Sequence, residues 1–389
     1  MLQPLNGAKV TRRETAQRST GPKIWNVDKG LAITFVLLLL MGLVVLYAAS
    51  YYNAQDSGSS LSEVYSQLVG IAVGAVAMFL IMKIDYRMLA QPYICGSLLA
   101  LSIVLLILVA IPGIGKMLNG SRRWLRLGFI SFQPSELAKY SLILYLARAL
   151  SLKNRDVTRF FKGLVPLFII PGILFALIIL QPNLSTAGSI LIVSAVMVMI
   201  AGARWRHLFI VGIAGAALGT FYALSEDYRR ARLMSFRNPF DYMTNEGYQL
   251  SQSLLAFGSG GVFGMGLGMG RQKYAFLPYP ESDFIFAVVG EDLGYVGCIA
   301  VLCVFAAFIF FGLRVAIRCK DRFGSMLAGG ITCMIGVQCV LNVAVVLGMM
   351  PTTGLPLPFF SAGGTSISIL MGAVAILLNI SATENTGVG

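Results

Sequence analysis

Four carboxylates lie in or beside one apolar stretch, and they are the first residues whose types could support catalysis. In "PYPESDFIFAVVGEDLGYVG", two acids stand at the start and two lie further inside, namely Glu281, Asp283, Glu291 and Asp292. A carboxylate is costly in hydrocarbon, so an acid within a membrane segment usually faces a cavity or a partner. The pattern predicts that these acids lie at a membrane boundary or take part in chemistry there.

Other common catalytic groups are scarce in the sequence. His207 is the single histidine, and the six cysteines show no metal-ligand spacing, so neither a Ser–His–Asp set nor a Cys–His pair can be assembled. The cysteines are interpreted as reduced packing residues. Acid–base chemistry would therefore use carboxylates, lysine or tyrosine.

An acid and a base stand three residues apart where another apolar run begins. In "FQPSELAKYSLILYLARAL", Pro134 and Ser135 open a predicted helix, and Glu136 and Lys139 share one face of it. An ion pair at a protein surface stabilises little, whereas a pair that enters a membrane must face protein or water. Both a structural role and a role in a site remain open for this pair.

Basic residues stand where an anionic substrate could meet them. The stretch "NGSRRWLRLGFISF" contains Arg122 and Arg123, and the long segment 225–283 contains Arg271 and Lys273 shortly before the first acids. Two interpretations remain open, which are contact with anionic lipid headgroups and an outward-facing site for an anionic substrate. Arginine suits bidentate phosphate binding, and lysine acts as a point charge.

Seven glycines follow one another closely in "FGSGGVFGMGLGMGRQK". A dinucleotide fingerprint would require a strand–helix unit, which the surrounding sequence lacks. Glycine permits tight turns, so the stretch is predicted to be a mobile or tightly turning loop over a site. Leucines at helical spacing just before it predict an amphipathic helix from Tyr248 to Phe257 on the outer membrane interface.

The composition shows which kind of chain must position these residues. The chain has 57% hydrophobic and 12% charged residues, with a mean hydropathy of +0.78. Charged residues make up about a quarter of an average soluble domain, so the composition excludes an ordinary soluble globule. The net charge of +13 is attributed to loop Lys and Arg residues that set membrane topology, rather than to nucleic-acid binding.

The apolar runs predict an all-α polytopic membrane bundle of about ten transmembrane helices. Alternation of basic residues between successive loops predicts that both termini are cytoplasmic. The predicted organisation is a basic N-terminal tail (1–29), a transmembrane domain (30–382) with a long extracytoplasmic loop (225–283), and a C-terminal tail (383–389). The predicted spans cover residues 30–50, 63–83, 93–112, 134–151, 163–181, 185–202, 206–224, 284–313, 325–349 and 362–381.

Four long stretches resemble the SEDS family of bacterial cell-wall proteins. They are "NGSRRWLRLGFISFQPSELAK", "GYQLSQSLLAFGSGGVFGMGLGMGRQKYAFLP", "SDFIFAVVGEDLGYVG" and "GMMPTTGLPLPFFSAGGTS". The resemblance extends from the first span to the last. The glycine-rich stretch is more similar to the division branch, FtsW and its sporulation relative SpoVE, than to the elongation branch, RodA.

The resemblance implies a ten-helix peptidoglycan glycosyltransferase that polymerises lipid II in the bacterial plasma membrane. It further implies a place at the division septum, with a class B penicillin-binding protein and other division proteins as partners. The hydroxyl of an acceptor sugar attacks the anomeric carbon of a donor, and undecaprenyl pyrophosphate leaves with inversion. This displacement needs a base and positive charge at the leaving group.

The resemblance also assigns roles to residues. Asp283 stands where the family has its essential carboxylate and is the candidate base. The candidate substrate-binding residues, which would hold the pyrophosphate or orient its ligands, are Arg122, Arg123, Glu136, Lys139, Arg271 and Lys273. A divalent cation such as Mg²⁺ is compatible with a pyrophosphate, but no ligand cluster in the sequence identifies a metal site.

The chain departs from the family pattern at three positions. Asn183 stands where the family commonly has an acid, Asp292 where it has a glutamate, and Ala362 where it often has a tyrosine. A neutral amide cannot accept a proton, so Asn183 is not expected to be the catalytic base.

Two other functions are compatible with parts of the sequence. A lipid II flippase would use the same basic residues, with the acids as relay groups, although the polar residues crowd the outer face instead of the mid-plane. A non-catalytic scaffold for division proteins would account for the basic N-terminus and leave the acids unexplained.

Overall fold

Long apolar runs form the helices that carry the site. The computed structural model describes residues 26–50, 62–118, 121–127, 130–152, 157–225, 227–243, 247–272 and 276–385. The helices within these ranges are α1 (Lys29–Ser50), α2 (Ser62–Lys83), α3 (Pro92–Ala110), α4 (Pro134–Ser151), α5 (Val165–Ile179), α6 (Leu184–Ile200), α7 (Trp205–Leu224), α8 (Asp227–Ser235), α9 (Tyr248–Gly260), α10 (Ile285–Arg318), α11 (Arg322–Val346) and α12 (Gly364–Asn385).

The prediction of an all-helical membrane bundle is confirmed. Each predicted span coincides with one helix, and seven helices of the described chain are long and apolar enough to cross a membrane. The other three predicted spans fall on α4, α6 and α7. The apolar stretches of α6 and α7 are shorter, and α4 contains Glu136, Lys139 and Arg148, so the count of ten spans stays a prediction.

A small antiparallel sheet between α3 and α4 adds to the predicted fold. Its strands are β1 (Gly115–Leu118), β2 (Ser121–Leu127) and β3 (Ile130–Phe132), in the order β1-β2-β3. Successive side chains of a strand point to opposite faces. Arg122 and Arg123, which are neighbours in β2, therefore point in opposite directions.

Helix α10 is broken at Gly294. This residue has φ 67° and ψ −165°, a conformation that favours glycine. At the break, two backbone N–H groups donate hydrogen bonds to carbonyls of the glycine-rich segment instead of to the helix. Tyr295 N donates to Gly261 O at 3.0 Å, and Val296 N donates to Val262 O at 3.1 Å. Irregular backbone at membrane depth is tolerated only where protein satisfies it, and here the segment does so.

The acids inside the apolar stretch hold the same segment in place. Asp292 accepts the N–H groups of Gly268 (2.9 Å) and Gly270 (3.0 Å) with its two carboxylate oxygens. Glu291 Oε1 accepts those of Arg271 (2.6 Å) and Gln272 (3.0 Å). Both acids are 1% exposed. They therefore fasten the glycine-rich segment to α10, which explains two charges within an apolar run.

This arrangement differs from the sequence expectation of a loop over the site. The glycine-rich segment does turn tightly, with positive φ at Gly261, Gly264, Gly266 and Gly268. It lies against the break in α10, however, because the two acids and the freed backbone groups bind it there. The helix predicted at Tyr248–Phe257 is present as α9, and it buries Leu250 and Ala256.

We expect that Gly294→Ala lowers the free energy of unfolding by about 2 kcal/mol or more, through overpacking and backbone strain. A Cβ at this position would lie 2.6 Å from Val262 O. Thermal unfolding of the purified protein in detergent measures the effect. Gly172→Ala in α5 is the control, because nothing lies within 4 Å of a Cβ there; an equal loss in both variants would contradict the role of the break.

Candidate active site

A cavity of about 350 Å³ opens at the end of the bundle that carries the sheet. Its polar lining comes from β2, α4, α9, α11, the start of α12 and the segment before α10. An extended segment at 353–362 closes one side. Apolar residues of that segment and of α12 complete the wall. The lining residues used below are Arg123, Glu136, Asp283, Gln338, Gly354, Phe359, Ile367 and Leu370.

Asp283 lies in this cavity, two residues before α10 begins. Its Oδ1 accepts a hydrogen bond from Ser282 Oγ at 3.1 Å. A Cβ added to Gly354 would lie 3.1 Å from Asp283 Oδ2, so the missing side chain leaves room beside the carboxylate. Gly354 has φ 70°, which also disfavours any other residue there.

Burial raises the pKa of Asp283 above its ordinary value. The hydrogen bond from Ser282 and the positive charges of Arg123 and Arg232 oppose this effect without cancelling it. A carboxylate with a raised pKa is a better base than an ordinary aspartate. The site therefore offers a proton acceptor beside fixed positive charge.

Arg123 connects the sheet to the connection between α5 and α6. Its Nε donates to Gln181 O at 3.1 Å, and an Nη donates to Pro182 O. The two bonds fix the guanidinium at the edge of the cavity. Arg122 is absent from the cavity lining among the described residues.

Glu136 and Lys139 form an ion pair near the start of α4. Lys139 Nζ lies 2.7 Å from Glu136 Oε1, and the residues are 0% and 4% exposed, respectively. Glu136 and Tyr140 line the cavity, whereas Lys139 is absent from the described lining and contacts the site through its partner. The pair is thus buried within the protein rather than placed at a surface.

The segment 353–362 is fixed to the residues around Asp283. Ser361 Oγ donates to Ser282 O at 2.7 Å, and Ala362 N donates to Glu281 O at 2.8 Å. On its other side, Ser185 Oγ donates to Thr353 O at 2.7 Å. The cavity wall is therefore held by both the α5–α6 connection and the start of α10.

The remaining sequence candidates lie elsewhere. Arg271 is exposed and stays away from the described lining, since Glu291 holds its backbone against α10. Lys273 lies outside the described residues. Asn183 caps α6, with its Oδ1 accepting Thr186 N at 3.2 Å. This capping role accounts for a polar residue there without catalysis.

Sequence reasoning missed several lining residues. Gln338 is a buried polar residue in the apolar run of α11, and Gly354 stands in the Pro- and Gly-rich stretch "PTTGLPLPFF". Both signals were visible in the sequence. What the sequence could not supply was the contact that places them beside Asp283.

The family is decided by comparison with known proteins. Residues 29–386 match the family model for FtsW, RodA and SpoVE, described as a cell cycle protein. The chain belongs to this family. It is 40% identical to the stage V sporulation protein E of Bacillus subtilis (strain 168) over 361 residues, which cover 91% of the chain and 96% of that relative.

Other members of the FtsW/RodA/SpoVE family agree with this assignment. A probable peptidoglycan glycosyltransferase FtsW of Geobacter metallireducens is 39% identical over 363 residues, covering 92% of this chain and 96% of the relative. The sequence resemblance to the SEDS family is thereby confirmed.

Two solved structures share the fold. One chain belongs to a peptidoglycan synthase complex described as coordinating polymerization and crosslinking; it is 29% identical, has a TM-score of 0.75, and the match covers 92% of this chain and 99% of that one. The other is the rod shape determining protein RodA of Thermus thermophilus, at 28% identity and a TM-score of 0.69, with 92% and 98% covered. The chain is therefore a multi-pass membrane protein of this fold.

Proposed function

We propose that this chain is a division-type peptidoglycan glycosyltransferase that polymerises lipid II. The observation that carries the proposal is Asp283, a carboxylate of raised pKa that shares a cavity with Arg123. Relatives of similar length are named as peptidoglycan glycosyltransferases of the FtsW type. The geometry provides the two groups that this displacement needs.

Asp283 accepts the proton of the acceptor sugar hydroxyl as that oxygen attacks the anomeric carbon of the donor. The bond between that carbon and the pyrophosphate oxygen breaks, and undecaprenyl pyrophosphate leaves from the opposite side. Arg123 stabilises the charge that develops on the leaving group. The second glycosyl unit is thereby joined with inversion.

The apolar part of the cavity suits the lipid portion of the substrate. Phe359, Ile367 and Leu370 line it together with the polar groups. A polyprenyl chain is favoured against such a surface because contact removes apolar area from water. The cavity therefore presents polar and apolar walls to a substrate that has both characters.

A divalent cation such as Mg²⁺ would enter with the pyrophosphate. Mg²⁺ commonly binds through substrate phosphates and one or two carboxylates. Within the described ranges, no group of three or more His, Cys, Asp and Glu side chains could hold a metal ion. The substrate phosphates would hold the ion, and Asp283 would act as the base on the opposite side of the anomeric carbon.

The proposal includes the setting of the enzyme. Both termini would lie in the cytoplasm, and the cavity would face the outside, as the alternation of basic loops indicates. The partner would be a class B penicillin-binding protein at the division septum, with other division proteins. A solved relative from a synthase complex supports a crosslinking partner.

The experiment that tests the function is polymerisation of purified lipid II by the purified protein, with and without the partner synthase. Glycan strands separated by gel electrophoresis are the expected product. Transport of lipid II between leaflets without any polymer, in the presence of the partner, would instead favour a flippase.

We expect that Arg123→Ala lowers kcat/KM for lipid II by about ten- to a hundredfold, because a charged hydrogen bond contributes about 1.5–3 kcal/mol. Arg122→Ala is the matched control, since this neighbouring arginine of β2 is absent from the described cavity lining. Initial polymerisation rates at several lipid II concentrations provide the measurement. Equal losses in both variants would assign the effect to the charge of the sheet rather than to the site.

A further inference from the structure

Asn342 of α11 joins the two segments that meet at the candidate base. It is 1% exposed. Its Nδ2 donates to Asp283 O at 2.8 Å and to Leu355 O at 2.7 Å. One side-chain amide therefore connects a bundle helix to the backbone of the base and to the segment that closes the cavity.

The two backbone carbonyls that accept these bonds belong to Asp283 itself and to Leu355, on the two sides of the close approach between the Asp283 carboxylate and Gly354. Leu355 follows Gly354, and a Cβ at Gly354 would lie 3.1 Å from Asp283 Oδ2. The distance between Gly354 and the carboxylate therefore depends on where the backbone of Asp283 and the backbone of the segment 353–362 lie. Asn342 bonds to both of those backbones, so it fixes their separation.

Other bonds hold the same segment at different points. Ser361 and Ala362 bind the backbones of Ser282 and Glu281. These contacts are six or seven residues further along the segment than Leu355. The end near Gly354 is held from two sides: Ser185 donates to Thr353 O at 2.7 Å, and Asn342 donates to Leu355 O from the α11 side. Of these two side chains, Asn342 also binds the backbone of Asp283.

We propose that Asn342 is a positioning residue for Asp283, which sets the orientation of the carboxylate relative to Gly354 and the bound acceptor sugar. This inference rests on the proposed function of Asp283 as the base. Misplacing a reacting group by about 1 Å can cost about a hundredfold in rate. A side chain that never touches the substrate thereby controls the turnover of the enzyme.

The chain supplies a matched control for this role. Asn379 of α12 is also 1% exposed, and its Nδ2 donates to Ile81 O at 2.8 Å and Ile84 O at 2.6 Å. In both asparagines the Oδ1 atom is buried and has no hydrogen-bond partner within the described part of the chain. The two residues thus share type, burial and bonding. They differ in their acceptors, since Asn342 binds the backbone of Asp283, which lines the cavity, whereas Ile81 and Ile84 are absent from the described lining.

The experiment compares Asn342→Leu with Asn379→Leu in the full-length protein. Both variants lose two bonds to backbone carbonyls, so we expect similar falls in thermal stability. At a temperature where both are folded, Asn342→Leu should lose about a hundredfold in kcat for lipid II polymerisation, with little change in KM. Asn379→Leu should keep kcat near the wild-type value.

A pH profile provides a readout that a purely structural role would not change. The groups that face Asp283 are Arg123 of β2, Arg232 of α8 and Ser282 beside it, and Glu136 of α4 lines the same cavity. Releasing the segment should admit water to the carboxylate and lower its raised pKa. The acidic limb of the rate profile should therefore move to lower pH in Asn342→Leu and stay unchanged in Asn379→Leu.

Asn342→Ser keeps a hydroxyl donor in place of the amide and should fall between wild type and Asn342→Leu in kcat. It serves as the measurable variant if Asn342→Leu fails to fold. The inference would be overturned if kcat fell in proportion to the loss of thermal stability to the same extent in the Asn342 and Asn379 variants. It would also be overturned if the acidic limb of the pH–rate profile of Asn342→Leu stayed where it is in the wild type. Asp283→Asn is assayed alongside: if it retains full activity, the base assignment is wrong as well, whereas if it is inactive, only the role of Asn342 falls.

Discussion

Replacing Asp283 by asparagine is expected to abolish glycan polymerisation while the protein still folds and inserts into the membrane. Asparagine keeps the size of the side chain and loses its basicity, so the substitution separates chemistry from packing. A positioned general base contributes about a hundred- to ten-thousandfold to the rate, and a loss in this range is expected for both Asp283→Asn and Asp283→Ala. Polymerisation of lipid II by each purified variant measures it.

The pH dependence of the wild-type enzyme follows from the same residue. Burial raises the pKa of Asp283, and only the ionised form accepts a proton. The rate should therefore fall as the pH drops through this raised pKa, at a higher pH than an ordinary aspartate would give. This acidic limb should be lost together with the activity in Asp283→Asn.

Glu281→Gln is the control for Asp283→Asn. This acid stands two residues away, its pKa is also raised by burial, and it lies outside the cavity lining of the described chain. The control should retain most of the activity. Wild-type polymerisation by Asp283→Asn would exclude Asp283 as the base.

Breaking the Glu136–Lys139 pair should have the largest effect on stability. Lys139 is 0% exposed, so Glu136→Gln leaves a buried ammonium without a counter-charge. Loss of one partner of a buried pair costs about 3–5 kcal/mol, whereas replacement of both by apolar residues is often neutral. We therefore expect a large loss of stability in Glu136→Leu and in Lys139→Met, and substantial recovery in the double variant Glu136→Leu/Lys139→Met.

Thermal unfolding of the four proteins in one detergent forms a double-mutant cycle for this pair. Polymerisation, normalised to the folded fraction, should be partly retained in Glu136→Gln, because Glu136 supports the cavity wall without acting as the base. Additive losses in the cycle would show that the pair is not coupled. An inactive Glu136→Gln beside an active Asp283→Asn would show that Glu136 is the catalytic carboxylate.

Periodicity and charge predicted much of the fold and part of the site. Hydrophobic runs identified the helices because a span requires a long apolar segment regardless of its neighbours. Asp283, Arg123 and Glu136, which are far apart in the sequence, do line one cavity. Their polar character at the ends of apolar runs was a local signal, and it was sufficient to select them.

Features that depend on pairing were beyond sequence reasoning. The choice between Arg122 and Arg123 follows from the bonds of Arg123 to the carbonyls of Gln181 and Pro182, which lie almost sixty residues further along the chain. The roles of Glu291 and Asp292 depend on backbone N–H groups about twenty residues earlier in the chain. In the sequence, Asn342 is one polar residue in an apolar helix. Its role follows only from the structure, in which its amide binds the carbonyls of Asp283 and Leu355.

The break at Gly294 also divides α10 into two segments with different surroundings. The segment after the break, from Tyr295 to Arg318, extends about 36 Å at 1.5 Å per residue, which suits a hydrocarbon thickness of about 30 Å at an ordinary tilt of about 20°. The turns before the break are enclosed by protein, since Ile285 is 0% exposed, whereas Tyr295 just after the break is 66% exposed.

The part of α10 before Gly294 is therefore held by protein, and the part after it is long enough to span the bilayer. A thicker or thinner membrane would be accommodated by tilting the segment from Tyr295 to Arg318. Because the break separates the two parts, this tilt would leave Asp283 in place relative to the cavity, and the geometry of the site would be independent of hydrophobic mismatch.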